Sequence, residues 1–87
     1  MPPPGSEHTA LVAAVAERRD RVAFAVLYDH YSPRLNAWLL RLGMDRASAE
    51  ELTQEVMVTL WHKAHLFDSS KSSLGTWLYR IARNLRI

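Results

Sequence analysis

Cysteine is missing from the 87 residues. Its absence excludes a disulfide framework, a thiolate metal site and a cysteine nucleophile, and fits a reducing compartment. Glycine is scarce, with Gly5, Gly43 and Gly75 the only examples, so no phosphate-cradling glycine loop can be drawn. Long apolar runs are also lacking. The stretch from Ala10 to Ala16 is short and runs straight into Glu17-Arg18-Arg19-Asp20, and the start carries no basic region. Neither a signal peptide nor a membrane span is expected, and the location implied is cytoplasmic. No segment sustains period-two alternation, so no strand is expected.

What remains is helical. The length allows one small domain, whose core must be well packed because a chain of this size buries a modest share of its surface. A hydrophobic content of 48% is enough for such a core. Three of the four prolines stand together at Pro2-Pro3-Pro4, which reads as a disordered leader over residues 1–8, followed by a single domain over 9–87.

The periodicity predicts about four helices in a compact all-α bundle. The first runs from about Glu7 to Arg18, with Ser6 as its cap. The second follows Asp20, a good N-cap residue. Phe24, Leu27, Tyr28 and Tyr31 form a stripe at helical spacing, and Leu35, Trp38, Leu39 and Leu42 extend it. At Ser32-Pro33 the helix is expected to restart or kink, and Gly43 to end it in a left-handed conformation. Ser48-Ala49-Glu50-Glu51 reads as a capping box opening a third helix that runs to about His65. A polar loop, Phe67 to Ser73, precedes a fourth helix from Leu74, capped by Ser72 or Ser73. Trp38, Leu52, Val56, Leu60, Leu78, Ile81 and Leu85 are expected in one core.

Charge is distributed unevenly although the net value is only +2. Between Asp45 and Glu55 stand Asp45, Glu50, Glu51 and Glu55 against the single base Arg46, whereas Leu74 to Ile87 holds Arg80, Arg83 and Arg86 and no acid. Two different partners are implied, the basic end suiting nucleic acid. Wound at about 100° per residue, the third helix places Ala49, Leu52, Val56, Met57, Leu60 and Ala64 on one arc and Glu51, Gln54, Glu55, Val58, His62 and His65 on the other. The second arc is either a plain solvated face or an interface, with Val58 as an apolar centre inside an acidic rim. On the fourth helix Thr76, Arg80, Arg83 and Asn84 face away from the apolar stripe, bordered by Trp77 and Tyr79. Arginines with flanking aromatics suit unpaired strands, through phosphates and base stacking; the alternative is that the arginines only solubilise the helix. Trp77 has two readings, stacking on an unpaired base or bracing the loop.

Catalytic sets are not apparent. Glu50 and Glu51 are adjacent and point about 100° apart, a poor acid–base pair. His62 and His65 are spaced for a metal but have no accompanying ligands, while His8 and His30 read as isolated. Neither an enzyme nor a metal or cofactor site is expected.

Three segments in order carry a resemblance. Phe24-Ala25-Val26-Leu27-Tyr28-Asp29-His30-Tyr31-Ser32-Pro33-Arg34-Leu35, then Ala49-Glu50-Glu51-Leu52-Thr53-Gln54-Glu55-Val56-Met57-Val58-Thr59-Leu60-Trp61, then Phe67 with Gly75-Thr76-Trp77-Leu78-Tyr79-Arg80-Ile81-Ala82-Arg83-Asn84 resemble region two of bacterial RNA polymerase sigma factors of the extracytoplasmic-function group. The resemblance implies that Glu51, Gln54, Glu55 and Val58 dock on the β′ clamp coiled coil of RNA polymerase. It also implies that Asp68, Ser69, Ser70, Lys71, Ser72 and Ser73, with Thr76, Trp77, Arg80, Arg83 and Asn84, bind the non-template strand of the promoter −10 element and capture an extruded base. It further implies control by an anti-sigma factor. Family members continue into a second DNA-binding domain, region four, which this chain does not contain.

Overall fold

A computed structural model of the chain describes residues 6–86, the side chain of Ser6 excepted. Four α-helices follow one another: α1 (Ser6–Arg18), α2 (Arg21–Arg41), α3 (Arg46–Lys63) and α4 (Leu74–Arg86), with a short 3-10 turn (Ala64–Leu66) after α3. No strand occurs among the described residues, so the all-α expectation holds. Residues 1–5 of the expected leader lie outside the described residues. Residues 6–8 form the first turn of α1.

Most helix ends follow from local chemistry. Asp20 caps α2, its carboxylate accepting from the Ala23 N–H at 3.0 Å. At the other end Gly43 takes φ +96, and the bonds from Met44 N–H to the Leu39 carbonyl (3.2 Å) and from Gly43 N–H to the Leu40 carbonyl (3.0 Å) close a Schellman motif. Ser73 caps α4 by accepting from the Thr76 N–H at 3.1 Å. Two expectations are corrected. Of the restart or kink expected at Ser32-Pro33, the restart does not occur, because Pro33 lies inside one continuous α2; the acceptor it leaves free belongs to exposed Asp29, where water can serve it. And α3 opens at Arg46, not Ser48: Asp45 is the N-cap, accepting from the Ser48 N–H at 3.2 Å. An equally good cap three residues upstream turns Ser48 into an ordinary first-turn residue. The hydrogen bonds from the Ser48 hydroxyl and N–H hold the Asp45 carboxyl below its usual range.

α1 turns into α2 through Arg19, a non-glycine residue at φ 51. Left-handed backbone costs such a residue about 1–2 kcal/mol. Its side chain ties the corner to the end of α3: the guanidinium donates to the Trp61 carbonyl and lies 5.5 Å from the centre of the Trp61 ring, a cation–π distance.

The core divides in two. Leu27 and Leu35 of α2, Val56, Met57 and Leu60 of α3 and Leu78 and Ala82 of α4 pack with Val12 and Val15 of α1 in the main cluster. Leu39, Ala49 and Leu52 form a smaller one, and half-buried Trp38 packs against both. Leu52 is therefore not in a single core with the rest, and Trp38 bridges the two clusters. The expected core member Leu85 is 44% exposed, whereas Leu74, one turn before Leu78, is buried. Thr53 was not anticipated inside; it is buried, and its hydroxyl donates to the Ala49 carbonyl at 2.8 Å. His8 and His30, which read as isolated, meet: their ring centres are 4.5 Å apart, and His8 Nδ1 lies 2.7 Å from the Tyr31 hydroxyl.

Candidate docking and nucleic-acid interfaces

The outward arc of α3 is where periodicity places it. Glu51, Gln54, Glu55, Val58 and His62 are all exposed, Val58 at 54%, as is His65 in the 3-10 turn that follows, since α3 ends at Lys63 and not at His65. Their opposites Leu52, Val56, Leu60 and Ala64 are buried, so one helix carries both a core face and a free face. α4 lies with its C-terminal end beside the middle of α3. Leu85 thereby leaves the core and joins Glu51, Gln54, Glu55, Val58 and Thr59 around a groove of about 420 Å³. Val58 and Leu85 give this acidic-rimmed surface an apolar centre, the composition of a protein interface. Periodicity missed Leu85 because its spacing from Leu78 and Ile81 is correct for a core position; α4 simply runs past the buried stripe. Gln54 forms a wall of a second groove, about 460 Å³ between α2 and α3, with Tyr28, Pro33, Leu40 and Glu50 among its lining. The Gln54 side-chain amide donates to the Tyr28 hydroxyl, which fixes its orientation from α2.

The loop 68–73 divides into anchoring and uncommitted residues. Asp68 accepts from the Ser70 hydroxyl at 2.6 Å and from the Ser70 N–H at 2.9 Å. The hydroxyl bond first, the N–H bond and the nearby Lys71 charge then hold its carboxyl below the usual range. The Lys71 N–H closes a turn onto the Asp68 carbonyl at 3.0 Å. The Ser73 hydroxyl is 2.9 Å from that of Thr76. Asp68, Ser70 and Ser73 thus shape the loop. Among the described residues, the Ser69 and Ser72 hydroxyls have no hydrogen-bond partner and remain available to a ligand, while the Lys71 ammonium lies near the Asp68 carboxylate.

On α4 the structure brings Thr76, Arg80 and Arg83 to one small cavity of about 260 Å³, together with Trp38 and Tyr79. Asn84 is exposed one turn beyond Arg80. Among the described residues neither arginine has an acidic partner; the ion pair present is Arg18–Glu17, 3.9 Å apart and well exposed. Trp77 points elsewhere. Its ring centre lies 5.5 Å from that of Phe67, at the mouth of the loop, so of its two readings the visible contact is the bracing one.

No group of three or more metal-ligating side chains is assembled among the described residues, and none of their helices is long and apolar enough to cross a membrane.

The family model for sigma-70 region 2 matches residues 27–87. The extracytoplasmic-function RNA polymerase sigma factor RpoE of Cereibacter sphaeroides is 45% identical over 82 residues, which make up 94% of this chain and 45% of that protein. SigK of Mycobacterium bovis, another such factor, is 39% identical over 77 residues, 88% of this chain and 41% of that protein. Among solved structures, SigE of Rhodobacter sphaeroides in complex with the anti-sigma ChrR superposes with a TM-score of 0.91 at 45% identity, over 94% of this chain and 53% of that one. The chain therefore spans about half the length of the relatives it matches. Sigma factors are transcription-initiation factors and not enzymes. With the family model running from the second turn of α2 to the end of α4, and two helix faces free of the core, the chain belongs to the sigma-70 region 2 family, in its extracytoplasmic-function group.

Proposed function

We propose that this chain docks RNA polymerase and holds open the promoter. The outward arc of α3, Glu51, Gln54, Glu55 and Val58, joined by Leu85, seats the β′ clamp coiled coil. The loop 68–73 and the free side of α4 take the non-template strand of the −10 element once it is unpaired. The segregation of charge carries this reading: an acidic, apolar-centred surface on α3 and a cationic, acid-free surface on α4, set on one packed pair of helices. An acidic rim suits a basic coiled coil. Arg80 and Arg83 suit phosphates, which contribute affinity without sequence information. Readout then falls to the loop, where the Ser69 and Ser72 hydroxyls are free to meet one extruded base and Lys71 adds a positive charge, while Asp68, Ser70 and Ser73 hold the loop's shape. Trp77 with Phe67 braces it.

Regulation is proposed by analogy with the structural neighbour, a sigma factor bound to its anti-sigma ChrR. An anti-sigma protein covering the α3 surface would compete directly with polymerase, and the cytoplasm is where such competition would take place.

The test is pull-down of the isolated β′ clamp coiled coil, paired with single-stranded DNA binding at several salt concentrations. Glu55→Lys and Leu85→Ala are expected to reduce clamp capture with strand binding unchanged. Arg80→Ala is expected to weaken all strands alike and to reduce the salt slope by about 0.7. A protein-only adaptor, the competing reading, would bind no strand in a salt-dependent way. Normal clamp capture by both Glu55→Lys and Gln54→Ala would remove the α3 assignment.

A further inference from the structure

Trp38 read as a core residue, and the family resemblance gives it no role. The structure leaves it half-buried at the end of a cavity it shares with Thr76, Tyr79, Arg80 and Arg83. Trp38 comes from α2 and the other four from α4, so the site exists only because the two helices pack. The Trp38 and Tyr79 rings meet edge to face, with centres 4.9 Å apart and planes at 83°. Both rings also pack against the core, and both line the cavity, so the aromatic surface they present there is what a planar ligand would meet. The lining is otherwise one hydroxyl and two guanidinium groups, with no carboxylate. At about 260 Å³ the cavity lies just below the usual range for drug-sized ligands, about 300–1,000 Å³. It has room for a single planar ring system.

We infer that this cavity is a nucleotide pocket: an unpaired base stacks on the Trp38–Tyr79 pair while Arg80 and Arg83 hold its phosphates. Flat aromatic faces and unpaired guanidinium groups at one opening match the two halves of a nucleotide, base and phosphate. Trp77, the other tryptophan of this region, lies against Phe67 and does not line this cavity, so the stacking surface beside Arg80 and Arg83 comes from Trp38 and Tyr79. The inference rests on the strand-binding reading above and adds to it a second base contact, on the α2–α4 seam and separate from the loop. The nucleotide belongs to a strand and is not free in solution: Arg80 and Arg83 stand one helical turn apart, within reach of successive phosphates, and Asn84 continues the polar track one turn past Arg80.

The experiment uses the 87-residue chain and short single strands carrying 2-aminopurine at one position at a time. Wild-type protein is expected to quench the probe by stacking at one position that loop substitutions at Ser69 or Ser72 do not affect. Trp38→Leu should abolish that quenching and weaken binding about 5- to 150-fold, with the salt slope unchanged because no charge is removed. Trp38→Phe should retain most of both. Far-ultraviolet circular dichroism and melting of each variant identify loss of fold, and Tyr79→Leu provides an independent lesion of the same stack. Equal binding and quenching by folded Trp38→Leu and wild type would overturn the pocket while leaving the strand-binding reading in place. Absence of salt-dependent binding to any strand would overturn both. A mononucleotide binding as tightly as the strand, in a Trp38-dependent way, would overturn the assignment to a strand.

Discussion

Leu78 and Leu85 stand seven residues apart on α4, two full turns on one apolar stripe, and by periodicity alone they are equivalent. In the fold they are not: Leu78 is fully buried in the main cluster, whereas Leu85 is 44% exposed at the edge of the α3 surface. Truncating each to alanine separates the two views. Leu78→Ala removes three buried carbons and leaves a cavity among Val56, Leu60 and Ala82, which costs about 2.7–5.0 kcal/mol. A chain of this length has about 4–13 kcal/mol of stability in all, so that lesion takes about a fifth of it or more. At about 4–8 °C per kcal/mol for a domain of this size, the midpoint should fall by more than about 10 °C. Leu85→Ala gives up only partial burial and should cost about 1 kcal/mol or less. Urea titrations followed by circular dichroism measure both, and unchanged m-values confirm that the same surface is being exposed. Equal costs for the two variants, or a larger cost at Leu85, would refute the placement of α4. A small stability cost at Leu85 with a large loss of clamp capture is the expected combination.

Other perturbations test separate parts of the fold. Gly75→Ala should be tolerated and stabilise the domain by up to about 1 kcal/mol, because the added carbon would meet Tyr31 at an ordinary 3.6 Å in a helical conformation that alanine prefers. Gly43→Ala has space around it but a φ of +96, and should cost about 1–2 kcal/mol in thermal or urea melts. For His30, burial first, then the charges of Arg34 and His8, lower the imidazole from its ordinary value. The unfolded chain therefore takes up the proton more readily, so this contribution to stability is present above the unfolded value near 6.5 and is lost as pH falls through the lower folded value. Melting between pH 7 and pH 5 should show this loss, and His30→Gln should flatten it.

Much of the fold was legible because its signals are local. Asp20, Gly43 and Ser73 end or begin helices through contacts within a few residues, and the two arcs of α3 separate cleanly because every member obeys one period. Where the reading failed, it needed tertiary information or a choice between equal local signals. Asp45 and Ser48 are both good caps, and their order in the chain decided between them. Leu85 satisfied the period but lies beyond the reach of the core, and Trp38 satisfied it yet spans two clusters and opens onto a cavity. Thr53 breaks the apolar pattern without penalty because its hydroxyl is satisfied inside the helix. The His8–His30 contact joins α1 to α2 across 22 residues of sequence and has no local signature. Site residues followed the same division: the α3 surface is a property of one helix and was visible, while the α2–α4 cavity is a property of a packed pair and was not.

That division bears on how two partners can be served by so small a domain. The surface proposed for the clamp and the surface proposed for the strand lie on α3 and α4, and between them sit Val56, Leu60, Leu78 and Ala82, all essentially without solvent exposure. Interiors packed in this way move as a unit, so seating α3 on a partner also sets the direction in which α4 presents Arg80 and Arg83. Trp38 extends the same logic to α2, since it touches both core clusters and the α4 ring Tyr79. Changes on either outer surface should then act on one partner alone, whereas changes in the shared layer should weaken both together. Leu85 is the informative position between these classes: it belongs to the strand-facing helix, yet its exposed side chain completes the clamp-facing groove. A loss of clamp capture in Leu85→Ala with intact strand affinity would mean that the two surfaces share a scaffold without sharing binding energy.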